Sequence, residues 1–235
     1  VRSVTGVDNV CERAAVLAEW LRGLDYTALK KLLACNDSIA ELNFRRFQEM
    51  DLRRPGTPAL LSYDGIQYQY MAPGVLEQRQ YDYLQAHLRI LSGFYGVLRP
   101  FDGVTPYRLE MGAKLETDGA RDLYGFWGDK LARVLEPGDG PVVDLASREY
   151  SRAVVPHLPR GVPLVACIFG RLRPDGRVVE QGAPCKMARG QMVRWMAEQA
   201  VTRVEELREF RDLGYRFSPE RSDPGRYVFL KEDDT

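Results

Sequence analysis

Residues 88–115, LRILSGFYGVLRPFDGVTPYRLEMGAKL, organise the reading of this chain. Apolar residues at Tyr81, Leu84, Leu88 and Leu91 recur at helical spacing, which predicts a helix over 77–91 that reaches Gly93. An extended segment over 94–98 follows, and Pro100 stops it. Gly93 and Gly96, three apart, permit a tight turn whose N–H groups can approach a ligand closely. Arg99 and Arg108 flank that turn. Two glycines at this spacing also fit a turn needed only for packing. Arg108 and Glu110 fall on one face of an extended segment, because strand side chains alternate. Such a pair fits binding of a polar or anionic substrate equally with an ion pair that orders the strand end.

Outward from this stretch the pattern is mixed. Towards the N-terminus, helices are predicted from a capping box at Asn9–Glu12 to Gly23, from Asp25, and over 37–50. The apolar run 59–63, entered through Pro55 and Pro58, is predicted as a buried strand. Towards the C-terminus, residues 122–136 carry Leu123, Trp127, Leu131 and Val134 at helical spacing, with Trp127 on the core side. Residues 141–150, PVVDLASREY, predict a strand that ends in polar residues and opens a helix. Ligands collect at such strand ends, where helix N-terminal N–H groups are free. Ser147 falls at the N-cap, which accounts for a serine there. Glu149 and Tyr150 follow in the first turn, where a carboxylate suits the helix dipole and, beside a tyrosine, also fits general acid–base work.

Residues 164–169 and 177–180 predict a hairpin around Pro174-Asp175-Gly176. A long helix is predicted over 186–206. It sets Lys186 and Arg189 three apart on one face near a positive N-terminus, with Arg194 farther along. Cations there work against the dipole, which argues for a compensating anion. Residues 214–217 and 226–230 predict two closing strands. The fold class is therefore mixed α/β: one domain over 1–235, with a helical part over 8–50 and a mixed sheet with surrounding helices over 58–231.

Several stretches resemble the YaaA family of bacterial peroxide-stress proteins. They are residues 87–115, DLYGFWGD at 122–129, VVDLASREY at 142–150, KMARGQMVR at 186–194, and 214–217 with 228–231. The resemblance spans 25–231, and Asn43, Arg46 and Phe47 match a further family pattern. It implies DNA binding in the response to peroxide, with a helix-hairpin-helix-like element beside a basic cleft. Gly93, Gly96, Arg99, Arg108, Ser147, Lys186, Arg189 and Arg194 would then hold phosphates. This chain departs from the pattern at Asp64 and Met187, where members carry lysines, at Tyr70 and Pro184, and in lacking the Ser-Pro-Ala-Lys-Thr opening.

Bulk properties bound the alternatives. The 235 residues are 45% hydrophobic and 28% charged with no net charge, an ordinary globular composition. The charge is uneven: residues 146–195 hold nine Lys/Arg against three Asp/Glu, an excess of +6 that the rest of the chain balances. No P-loop, dinucleotide fingerprint or zinc spacing occurs, two histidines are too few for a histidine-built metal site, and no cofactor is expected. Four cysteines without CxxC spacing, and no leader or apolar span, predict a cytoplasmic protein that does not engage membranes. The expected partner of this monomer is DNA or a nucleotide-like anion. The competing expectation is an enzyme on a small phosphorylated or nucleobase-containing substrate, with Glu149, Tyr150 and Glu110 as its catalytic groups.

Overall fold

The computed structural model describes residues 8–54, 56–117, 119–135 and 140–232, and side chains from Glu12 onward. Three helices open the chain: α1 (Asp8–Arg22), α2 (Tyr26–Leu33) and α3 (Asp37–Glu49). Asp25 caps α2 by accepting the Ala28 N–H, and Asn36 caps α3 by accepting that of Ile39. The side chains of the Asn9–Glu12 capping box fall largely outside the described residues. A short strand β1 (Thr57–Pro58), helices α4 (Ala59–Ser62), α5 (Ile66–Met71) and α6 (Gln78–His87), and strands β2 (Ile90–Ser92), β3 (Gly96–Leu98) and β4 (Gly103–Val104) follow. Next come α7 (Leu123–Trp127), α8 (Lys130–Leu135), β5 (Val142–Asp144) and α9 (Arg148–Val154). The chain closes through β6 (Leu164–Leu172), β7 (Val178–Val179), α10 (Gly182–Gln199), β8 (Tyr215–Phe217) and β9 (Arg226–Lys231).

By its internal contacts the chain divides into two compact units. The first comprises 1–62, 89–136 and 147–159. Its core gathers Leu17, Leu21 and Leu29 from the opening helices, Phe47 from α3, Phe94 from the β2–β3 turn, and Trp127 and Leu131 from α7 and α8. Burying each such side chain contributes about 1.5–3 kcal/mol. β2 and β3 pair as an antiparallel hairpin in the register Ile90–Leu98, and β1 pairs with β4.

The second unit comprises 63–88, 137–146 and 160–235. Its sheet runs β5-β6-β9-β8, with β7 on the end of β6. β5, β6 and β9 are parallel while β7 and β8 are antiparallel, so the sheet is mixed. Alternation along β6 buries Val165, Cys167 and Phe169, which join Cys185, Ala188 and Met192 of α10 in a second core. Phe169 and Phe229, partners in the β6–β9 register, stack at 5.1 Å.

Four expected elements differ. The helix predicted over 77–91 ends at His87: Leu88 turns extended (ψ 137), and residues 90–98 become the hairpin. Among the described residues no helix lies between 88 and 122, so the glycine turn connects two strands rather than two helices. The strand predicted over 59–63 is a single helical turn whose first N–H groups, of Ala59 and Leu60, bond the carbonyls of Asp102 and Pro100. A short apolar run carries no period that separates the two. The helix over 122–136 breaks at Gly128, whose φ of 53 and ψ of −131 end α7 before α8 begins. Finally, the helix placed over 186–206 starts at Gly182 and stops at Gln199, with Ala200 left-handed at φ 49. Among the described residues no helix is long and apolar enough to cross a membrane.

Candidate functional site

In the first unit the hairpin turn is built by Ser92. Its hydroxyl accepts the N–H groups of Phe94 at 3.1 Å and Tyr95 at 2.8 Å, and shares a 2.5 Å hydrogen bond with the Tyr107 hydroxyl. The Gly93 carbonyl receives the Trp127 indole N–H at 2.9 Å. Both glycines have a packing reason. A Cβ on Gly93 would stand 2.7 Å from the Leu109 carbonyl oxygen, and Gly96 combines φ +78 with contact against Trp127 and Leu131. The N–H donors of Phe94 and Tyr95 are therefore engaged inside the protein. Arg99 donates its own N–H to the Asp102 carboxylate at 2.7 Å.

Beyond the hairpin, residues 105–110 join no sheet and 111–112 form a turn. Arg108 and Glu110 form an ion pair at 2.8 Å. The Arg108 Nε is buried and makes no hydrogen bond among the described residues. Two residues on, the Gly112 N–H donates to Glu149 Oε1 at 2.6 Å. A Cβ at position 112 would lie 3.1 Å from that same oxygen, so glycine lets the carboxylate approach. Ser147 stands at the N-cap of α9 as expected, yet its side chain makes no capping bond. Tyr150 packs against the first core. Sequence reasoning missed Gly112 and Tyr124. The Tyr124 hydroxyl bonds the Glu149 carbonyl at 3.1 Å, and Arg152 lies 4.6 Å over its ring. Burial, with Glu149 nearby, holds the Tyr124 phenol above its ordinary value. The Arg108–Glu110 pair and the Glu149 carboxylate, held by the Gly112 N–H, thus attach to the same stretch 108–112.

In the second unit the three expected cations of α10 divide. Lys186 is exposed. Arg189 is buried, with 8% of its side chain accessible, and donates to Glu180 at 2.9 Å. Arg194 pairs with Glu198 one turn on, at 2.7 Å. Because α10 begins at Gly182, Lys186 is its fifth residue and Arg189 its eighth, so neither sits in the first turn where the dipole argument applies. Pro184 occupies the helix's first turn, where a missing N–H costs nothing.

Cys167 lies inside the second core. Burial pushes its thiol from 9.0 up to about 12; nearby Asp144 adds to the shift and Arg189 opposes it. Burial also carries Tyr83 from 10.0 to about 12. Both groups hold their protons more tightly folded than unfolded. Their stabilisation is therefore complete below pH 9.0 to 10.0 and drains away as pH rises towards about 12. The melting temperature is expected to fall steadily once pH passes these ordinary values. At about pH 8 Cys167 is expected to resist a disulfide reagent in the native protein and to react once unfolded in guanidinium. Native-state labelling at Cys167, detected by peptide mass, would contradict its burial.

The fold defines a mixed α/β protein. The family model for the peroxide stress protein YaaA matches residues 4–221. A UPF0246 protein of Desulfitobacterium hafniense is 53% identical over 220 residues, covering 94% of this chain and 87% of the relative. UPF0246 proteins of Lachnoclostridium phytofermentans and Pediococcus pentosaceus are 45% and 47% identical, over 97% and 91% of this chain and 89% and 84% of theirs. The chain belongs to the YaaA peroxide stress family.

Proposed function

We propose that this protein binds nucleic acid through its phosphates as part of the cytoplasmic response to peroxide. The observation that carries this reading is the state of the basic stretch 146–195. Arg148, Arg152, Arg160, Arg173 and Lys186 are exposed there and form no ion pair among the described residues. A net-neutral protein that leaves so many cations of one stretch facing water has a use for anions. Side-chain cations rather than the glycine turn take the phosphates, since Ser92 already accepts the N–H groups of Phe94 and Tyr95.

The test is fluorescence anisotropy with labelled duplex and single-stranded DNA, between about 50 and 200 mM salt. Affinity is expected to drop steeply, with little sequence preference. Lys186→Ala with Arg160→Ala is expected to lower the log–log salt slope by roughly one to two. Binding that ignores both salt and the double variant would sink the proposal. The second reading, an enzyme on a small phosphorylated or nucleobase-containing substrate, rests on Glu149, whose carboxylate is held by the N–H of Gly112, two residues along the chain from Glu110. Glu149→Gln keeps that hydrogen bond and removes a general base. It leaves DNA affinity intact under the first reading and abolishes turnover under the second.

A further inference from the structure

In the first unit the Arg152 guanidinium lies over the Tyr124 ring, its central carbon 4.6 Å from the ring centroid. Neither residue entered the sequence-based site. Tyr124, in α7, is half-buried and packs against the first core, and its hydroxyl donates to the Glu149 carbonyl at 3.1 Å. Packing and that hydrogen bond fix the ring, and the ring in turn supports one face of the guanidinium. Arg152 is itself exposed, so its other face is open to a ligand.

Two carboxylates stand near this pair, and neither neutralises it. Burial raises the Tyr124 phenol, Glu149 and Asp122 add to the rise and Arg152 opposes it, which places all three close to the ring. Glu149 accepts the Gly112 N–H at 2.6 Å and Asp122 accepts the Gly125 N–H at 2.8 Å. Arg152 forms no ion pair among the described residues, and neither does exposed Arg148, one turn earlier on the same side of α9. Like charges at this spacing weaken a helix, and a bound anion removes that penalty.

We propose that Arg152, backed by Tyr124, is a stacking platform for one unpaired nucleobase, with Arg148 taking the phosphate beside it. The platform rests on the nucleic-acid reading and narrows it: this face takes a single strand rather than continuous duplex. A guanidinium seated on an aromatic ring offers a flat, cationic, weakly hydrated face that suits the π-face of any base. A base inside a duplex has both faces covered by its neighbours and cannot use it. A bare anion would engage the two guanidiniums without needing the flat face. Because Arg152 rests on the ring before binding, it loses less rotamer freedom when a base arrives.

Fluorescence anisotropy of the full chain with two labelled strands of roughly ten nucleotides tests this, one strand carrying bases and the other built of abasic sites. The phosphates are the same, so equal salt slopes are expected, with the abasic strand bound roughly tenfold less tightly. Tyr124→Leu keeps apolar bulk and every cation. It is expected to erase the difference between the strands while affinity for a blunt duplex stays within about twofold. Tyr124→Phe keeps the ring, loses only the hydroxyl, and is expected to retain the preference for bases. If Tyr124→Leu folds poorly, the two strands on the unaltered chain decide. Equal, steeply salt-dependent binding of both strands would overturn the platform and leave the phosphate reading standing. A preference for bases that persists in Tyr124→Leu would also overturn it. Binding of neither strand nor duplex would end the platform and that reading together.

Discussion

Gly190→Ala is expected to destabilise the protein by about 3 kcal/mol or more, from one added methyl group. A Cβ at this position would lie 2.0 Å from the Gln67 carbonyl oxygen, 2.9 Å from its carbon and 3.1 Å from the Met71 nitrogen. Every one of these atoms is backbone, so no rotamer change relieves the overlap. Helix α5 must move off α10, and its buried contacts go with it. Overpacking costs about 1–3 kcal/mol when side chains can adjust, and this site exceeds that range because they cannot. In a chain of this size each kcal/mol lowers the melting temperature by about 2–4 °C, so a fall of roughly 6–12 °C is expected. Gly182→Ala makes the same change in the same helix, where nothing lies within 4 Å, and is expected to leave stability within about 0.5 kcal/mol. Thermal melts of the two variants side by side decide the matter. Equal melting temperatures would mean that α5 does not pack on α10 as described.

Gly190 also marks the limit of what sequence could reveal. Its helix was legible, as were the cap at Asp25, the strand of β5 and the β6–β7 hairpin, because period, cap chemistry and the Pro-Asp-Gly turn are local signals. The helix's ends were not. The helix was read from 186 but starts at Gly182, and Ala200 ends α10 in a left-handed conformation with no glycine or asparagine to announce it. The β2 strand was hidden for a related reason. Leu88 and Leu91 continue the helical spacing of α6, yet Ile90, Leu91 and Ser92 pair with Leu98, Val97 and Gly96. Tertiary pairing decided between two locally acceptable states.

The candidate site was legible where a single element carries it. Spacing by two was enough to put Arg108 within reach of Glu110, although the segment is no strand, and the α9 start put Ser147 and Glu149 where expected. It was not legible where partners come from elsewhere in the chain. Glu180 and Glu198 take up Arg189 and Arg194, Ser92 takes up the turn's N–H groups, and Gly112 reaches Glu149 across 37 residues. Charge counting along a sequence sees the cations and not the carboxylates folded onto them. The register that pairs Phe169 with Phe229 was equally invisible, because it depends on which strands become neighbours.

Trp127→Ala is expected to rank with Gly190→Ala, by the opposite route of removing atoms. Trp127 is fully buried, its ring packs against Gly96, and its indole N–H is bonded to the Gly93 carbonyl. Removing the ring empties the centre of the first core, at about 3–5 kcal/mol. It also orphans a buried carbonyl, a loss of about 1–3 kcal/mol that overlaps with the first. Trp127→Phe separates the two effects: it keeps most of the packing and loses the hydrogen bond, so about 1–3 kcal/mol is expected. The same pair of variants tests a functional alternative. A tryptophan serving as a stacking platform for bases must be reachable by them, and this one is closed off by the hairpin, α8 and Phe126. DNA affinity is therefore expected to be unchanged in Trp127→Phe while the melting temperature falls. A variant that melted like the parent but bound DNA less tightly would move Trp127 from the core to the binding surface.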